Sequence, residues 1–272
     1  MQKQHIIKKP VFRNKFRKFF GKEYFILKRK LKWIFDKEKY AVVNQKTNFT
    51  NSLIQHKSFL LRPLKDVDMY LQHNKVMNLQ LAIQKINHVV INPGEVFSVW
   101  KLVGRPTKSK GYLEGLVLSN GKIDKGIGGG LCQLGNLLFW MALHTPLTVK
   151  ERWRHGFDVF PDINRNIPFG CGATLSYNYI DLQLKNETDK IFQIQLWLDD
   201  EYLNGKITCN QTLHLNYTVV EKEHAIKQQW WGAYTRHNQI WKQITNTENN
   251  NVDEELVCEN NSIMMYNPLL DN

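Results

Sequence analysis

Closely spaced cysteines are the first thing this sequence lacks. Its four cysteines stand at 132, 171, 209 and 258 in a chain of 272 residues, and no two have the CxxC spacing of zinc or iron–sulfur sites. No metal or other cofactor is therefore expected. In a reducing compartment all four are free thiols. Long apolar runs are missing too: nothing approaches the roughly 18 consecutive apolar residues of a membrane-spanning helix. The basic N-terminus leads into no apolar signal region, because Glu23-Tyr24-Phe25-Ile26-Leu27 is short and runs straight into Lys28-Arg29-Lys30. These absences predict a cytoplasmic protein with neither signal peptide nor transmembrane helix. Asn-X-Ser/Thr triplets such as Asn186-Glu187-Thr188 then carry no glycosylation meaning.

Acidic residues are scarce in one place only. Residues 1–40 hold fourteen Lys or Arg against Glu23, Asp36 and Glu38, while the rest of the chain holds twenty-three against twenty-two. Nearly all of the net +12 therefore sits in an N-terminal arm, and the remainder is close to neutral. Within the arm Phe12, Phe16, Phe19, Leu27, Leu31 and Ile34 recur at helical spacing. Arg13, Lys15, Arg17, Lys18, Lys28, Arg29 and Lys32 lie between them. The pattern reads as a basic amphipathic helix, interrupted near Gly21. Such a helix suits an anionic membrane surface, at the inner face for a cytoplasmic protein. The plainer reading is a helix that packs its aromatic face on the body. Nucleic acid is not expected, since no recognised binding motif accompanies the charge.

Beyond residue 40 the chain reads as one domain over 41–244, with a core at 70–200, followed by an Asn-rich linker and short tail over 245–272. A break is expected at Arg62-Pro63. Val76, Leu79, Ala82, Ile83, Ile86 and Val90 mark a helix with a buried face, stopped by Asn92-Pro93-Gly94. Residues 95–100 alternate like a strand, and Asn120-Gly121 is a tight-hairpin signal. Leu131–Leu143 reads as a buried helix ending before Pro146. Strands follow at 147–153, 173–184, 191–197 and 205–208, the last two as a hairpin, and two short ones lie within 230–244. The fold class is α+β: a helix carrying a glycine-rich loop and a cysteine, packed on antiparallel sheet, with the basic helix in front.

The chemistry concentrates where that glycine loop meets the helix. Consecutive glycines are costly in chain entropy and mark positive φ or close backbone approach. Placed before a helix, they expose amides at its positive end, where an anion or developing oxyanion is stabilised. Cys132 falls in the first helical turn, a place that lowers thiol pKa values. It is the candidate nucleophile, with His155 as base, Asp158 orienting the imidazole, and the amides of Gly128, Gly129, Gly130 and Gln133 as oxyanion donors. The alternative is a small buried cysteine on an apolar helix. A metal set from Cys132, His144, His155 and Cys171 has no supporting spacing.

Two segments are recognisable. Asn92-Pro93-Gly94-Glu95-Val96-Phe97-Ser98 and Gly128-Gly129-Gly130-Leu131-Cys132-Gln133 resemble the signature blocks of the VanW family, with Gly111-Tyr112 between them. Glu151-Arg152, His155, Gly172-Ala173-Thr174 and Asp181 keep the family's order and spacing. The stretch Leu137–Trp140 is similar to the short, unexported VanW type found beside glycopeptide-resistance genes. Glu95, Ser98, Arg152, Thr174 and Asp181 are further family-matching positions. Many relatives have Asp where this chain has Gly172, so an acidic role there is absent.

The resemblance implies a link to cell-wall peptidoglycan metabolism and glycopeptide resistance. Longer, exported relatives are associated with L,D-transpeptidation, a cysteine acyl transfer. Two readings follow. In one the chain is a cysteine acyltransferase acting on peptidoglycan-precursor peptides at the membrane. In the other it is a non-catalytic accessory or binding protein of a resistance or envelope system.

Overall fold

The computed structural model describes residues 14–46, 49–61, 68–119, 122–159 and 167–269. The first part of the chain holds α1 (Lys15–Phe35), β1 (Lys39–Tyr40), β2 (Asn51–Phe59), α2 (Met69–Ile86), β3 (Val89–Ile91), β4 (Glu95–Ser98), α3 (Val99–Val103), β5 (Glu114–Ser119) and β6 (Lys122–Ile127). After these come α4 (Cys132–Leu143), β7 (Thr148–Glu151), β8 (Phe157–Asp158), β9 (Gln183–Lys185), β10 (Phe192–Leu198), β11 (Tyr202–Cys209), β12 (Leu215–Gln228), β13 (Tyr234–Asn246) and β14 (Val252–Met264). The class is α+β, as the sequence patterns predict.

The chain divides after Asp36 into two compact units. The first carries α1. Asn14 caps it, its Oδ1 accepting the Arg17 amide at 2.8 Å, and satisfies a donor that has no intrahelical partner. The helix runs through Gly21 without the expected interruption. Phe16, Phe19, Phe20, Leu27, Leu31, Ile34 and Phe35 are all exposed on it. Phe12 and Arg13 lie outside the described residues.

The second unit is built on three sheets and a hairpin. One sheet has the order β2-β11-β10-β3, all antiparallel, and a second the order β1-β4-β9-β7. A meander of β12, β13 and β14, with β8 on its edge, makes the third. Helix α4 is apolar nearly all round: Leu134, Leu137, Leu138, Phe139, Met141, Ala142 and Leu143 are buried, each larger side chain contributing about 1.5–3 kcal/mol. It presses on β11 so closely that a Cβ on Gly205 would stand 2.6 Å from the Met141 methyl. Helix α2 buries Leu71, Leu79, Ala82, Ile83 and Ile86 on one stripe.

Several boundaries differ from the sequence patterns, each for a local reason. Helix α2 ends at Ile86, because His88 takes a positive φ of 64°, and Val90 belongs to β3 rather than to the helix. Val99 and Trp100 open α3, since Ser98 caps it by accepting the Lys101 amide at 3.2 Å. Within 173–184 only residues from Gln183 onward are strand. The Asn-rich stretch is the turn of a long hairpin, closed by the Asn246 amide on the Asn251 carbonyl at 2.9 Å, rather than a linker. The residues after it form β14, which pairs with β13 along its length, so 252–264 is core sheet rather than tail. Arg62-Pro63 and Asn120-Gly121 lie outside the described residues, although the Ser119–Lys122 pairing closes the predicted hairpin.

Candidate functional site

Each glycine of the run before α4 is there for its own reason. Gly128 and Gly130 hold φ of 74° and 91°, a region that side-chain-bearing residues rarely adopt. Gly129 touches another backbone: a Cβ on it would lie 2.1 Å from the Gly115 carbonyl carbon. The amides of the run are already engaged. Gly128 donates to Leu113 O at 3.0 Å, Gly129 to Gly126 O at 3.0 Å, Gly130 to Leu116 O at 2.9 Å and Gln133 to Gly130 O at 3.1 Å. The expected oxyanion role of these four amides is thereby corrected, because each has a carbonyl partner within the fold. The Cys132 amide turns to its own Sγ.

Cys132 is exposed at the surface, yet its sulfur turns inward. Sγ accepts the Leu175 amide at 3.5 Å and donates to the Leu175 carbonyl at 3.7 Å. Loss of water around the sulfur raises the thiol pKa above its ordinary value and outweighs the opposing Leu175 amide. The lowered pKa expected from the helix end is therefore corrected: crowding of the sulfur exceeds the pull of the helix end.

The His155 amide donates to Thr174 Oγ1 at 3.2 Å, and the Thr174 amide donates to the Trp153 carbonyl at 2.8 Å. The imidazole bonds the Phe157 carbonyl, whereas the Cys132 sulfur bonds the Leu175 backbone. No hydrogen bond joins the two. Burial lowers the His155 pKa, with the charges of Arg154 and Arg152 adding to the effect. The ring is neutral near pH 7, Nδ1 donating to the Phe157 carbonyl and Nε2 presenting its lone pair.

Asp158 does not orient that ring. Its carboxylate accepts the Tyr266 hydroxyl at 3.0 Å and faces Arg236 at 3.7 Å. Neither are Cys132, His144, His155 and Cys171 gathered into a ligand set. Among the described residues no three His, Cys, Asp or Glu side chains stand close enough to share an ion.

Comparison with known proteins decides the family. The description "VanW like protein" matches residues 74–208. Vancomycin B-type resistance protein VanW of Enterococcus faecalis is 43% identical over 152 residues, 56% of this chain and 55% of that protein. Residues 74–208 belong to the VanW family. Uncharacterized protein YoaR of Bacillus subtilis is 30% identical over 113 residues, 40% of this chain and 35% of that protein. The chain thus spans about half the length of the first relative and about a third of the second. No solved structure matches.

Inside the VanW domain the remaining family-matching side chains hold the fold together. Glu95 closes the turn before β4 by accepting the Asn92 amide at 2.9 Å. Asp181 is buried and receives Ser98 Oγ at 2.6 Å and the Trp100 amide at 3.1 Å, tying β4 and the start of α3 to the segment that leads into β9. Its pKa is pushed up to about 6, because burial outweighs the hydrogen bonds from Ser98, Gln183 and Trp100. Arg152 lays its planar head across three acceptors: Nε on Gly172 O at 2.9 Å, and Nη2 on Gly170 O at 2.5 Å and Asn260 Oδ1 at 3.1 Å. Thr174 is the acceptor for His155 already described.

Two residues missed from sequence complete this framework. Asn78, fully buried on α2, donates to Leu113 O and Gly129 O at 3.0 and 2.9 Å. Asn136 accepts the Ala173 amide at 2.9 Å. The signal for Asn78 was available: it sits at helical spacing within an apolar stripe, where an amide must have partners.

Proposed function

We propose that this VanW-family chain is a non-catalytic accessory protein of a vancomycin-resistance or cell-envelope system. In this reading it binds peptidoglycan-precursor peptides, while the basic helix α1 holds it at the inner, anionic face of the membrane. The carrying observation is that the candidate catalytic groups are committed elsewhere. The Cys132 sulfur is bonded to the Leu175 backbone with a raised pKa, and four of the expected oxyanion amides are spent on carbonyls. The exposed aromatic and aliphatic side chains of α1, among its lysines and arginines, support the membrane location. No described helix is long and apolar enough to cross a membrane.

Cysteine acyl transfer is the second reading. It is favoured by the exposure of Cys132 and by the neutral imidazole of His155. It requires Cys132 to leave the Leu175 backbone and His155 to leave the Phe157 carbonyl so that the two can meet. Cys132→Ser separates the two, since a serine hydroxyl keeps both bonds to Leu175 but is a far weaker nucleophile. The assay is vancomycin susceptibility of cells carrying the resistance gene set with wild-type, Cys132→Ser or deleted chain. Resistance equal to wild type in Cys132→Ser supports the accessory role. Resistance at the deletion level, with the variant folded and expressed, overturns it.

A further inference from the structure

The turn between β12 and β13 puts tryptophan where turn chemistry has no use for it. The Gly232 amide bonds the Gln229 carbonyl at 2.9 Å, and Gln229 N bonds Ala233 O at 2.8 Å. This rigid turn has Trp230 and Trp231 at its two central positions. Such positions favour Gly, Asn, Asp, Ser or Pro. Trp230 is 92% exposed and Trp231 45%. Their rings meet edge to face with centroids 5.5 Å apart, so they present one aromatic knob.

The same end of the sheet carries further apolar side chains. Ile226 lies on β12 three residues before Gln229, and Met265 follows β14, whose last pairings with β13 approach the turn. They are 45% and 49% exposed. Lys227, next to Ile226, is exposed. From His224 to Thr247 the sequence has no Asp or Glu. Buried Asp158, the acid nearest β14's end, is held by Tyr266 and Arg236. Indoles flanked by aliphatic side chains and a lysine match the chemistry of a lipid–water interface.

We infer that the β12–β13 tip is a membrane-insertion element: Trp230 and Trp231 seat at the headgroup level of an anionic bilayer, and Lys227 contacts the phosphates. This goes beyond the proposed function and does not depend on α1.

The test uses the full chain with vesicles of mixed phosphatidylcholine and phosphatidylglycerol whose acyl chains carry bromine, which quenches tryptophan at short range. Wild-type emission shifts to the blue and is quenched. In Trp230→Ser/Trp231→Ser most of that quenching disappears, and the partition coefficient falls on the order of tenfold, since burying even half an indole exceeds the tenfold increment. Its thermal midpoint is measured alongside, so that the lost partitioning is read on a folded protein. A Phe19→Asp/Leu27→Asp variant of α1 retains the tip's quenching whether or not α1 also binds, which keeps the two ideas apart. Wild type that is not quenched, or equal quenching in wild type and the tip variant, overturns the inference. So does an emission shift with soluble glycan fragments but not with vesicles, which would make the knob a sugar-stacking platform.

Discussion

Replacing Gly129 by alanine tests whether the glycine run is a fold device or a ligand cradle. The added methyl would stand 2.1 Å from the Gly115 carbonyl carbon and 2.2 Å from its oxygen. Both are backbone atoms, so the hairpin β5–β6 must shift. Overpacking of that kind costs about 1–3 kcal/mol. The shift also strains the Gly130 amide on Leu116 and the Asn78 amide on Gly129, both 2.9 Å long, each worth about 1 kcal/mol. The expected loss is about 3–5 kcal/mol, which lowers the thermal midpoint on the order of 10 °C for a body of this size. Two other glycines calibrate the scale. Gly94→Ala has open space but a φ of +78°, so it should cost about 1–2 kcal/mol of conformational strain alone. Gly156→Ala has open space and no such φ, and should stay within about 0.5 kcal/mol of wild type. Differential scanning calorimetry of the three variants gives the order. Should Gly129→Ala melt like wild type yet abolish function, the run faces a ligand and the packing argument is wrong.

Two further outcomes follow from the titrating groups. Limiting iodoacetamide should label Cys132 before the buried Cys171 and Cys209, but its rate should climb only above the ordinary thiol range, with the same pH profile in His155→Ala; a profile displaced by that mutation would restore the dyad. Asp181 has a folded pKa near 6 against an ordinary 3.8, so the folded state binds its proton more tightly than the unfolded chain does. Its stabilising effect is complete below pH 3.8 and is lost as pH rises through 6. That amounts to about 3 kcal/mol at about 1.4 kcal/mol per unit, and urea melts of wild type against Asp181→Asn between pH 4 and 7 should show the decline in wild type only.

Local patterns carried the parts of the fold that local chemistry decides. The stripe through Leu79, Ala82, Ile83 and Ile86 specifies α2, and the apolar run after Cys132 specifies α4, because both are long and periodic. The meander was harder to read. Strand β12 runs through Lys222, Glu223 and Lys227, and β13 buries Arg236, Asn238 and Lys242, so neither shows the apolar alternation that marks a half-buried strand. At the site, the positions were legible but their roles were not. Gly128–Gly130 read as amides offered to an anion, and only the approach of Gly115 and the carbonyls of Leu113 and Leu116, all remote in sequence, shows them to be occupied. The order of Cys132, His155 and Asp158 along the chain gave no sign that the Leu175 backbone holds the first, the Phe157 carbonyl the second, and Arg236 and Tyr266 the third.

The meander meets the rest of its unit through polar contacts. Arg236, Asn238, Asn260 and Ser262 are buried on its inner face. Asn238 reaches the Phe169 carbonyl, Arg152 reaches Asn260, and Arg154 and Arg236 lie over the Phe169 ring at 4.1 and 4.4 Å from its centroid. A greasy joint tolerates sliding, because one methyl replaces another at little cost. A joint of directional bonds has one seat, since a shift of a single residue would strand several buried donors at once. The β12–β13 tip is therefore aimed, like a tool fixed in a keyed socket, and a partner met by Trp230 and Trp231 meets the VanW domain in a set orientation.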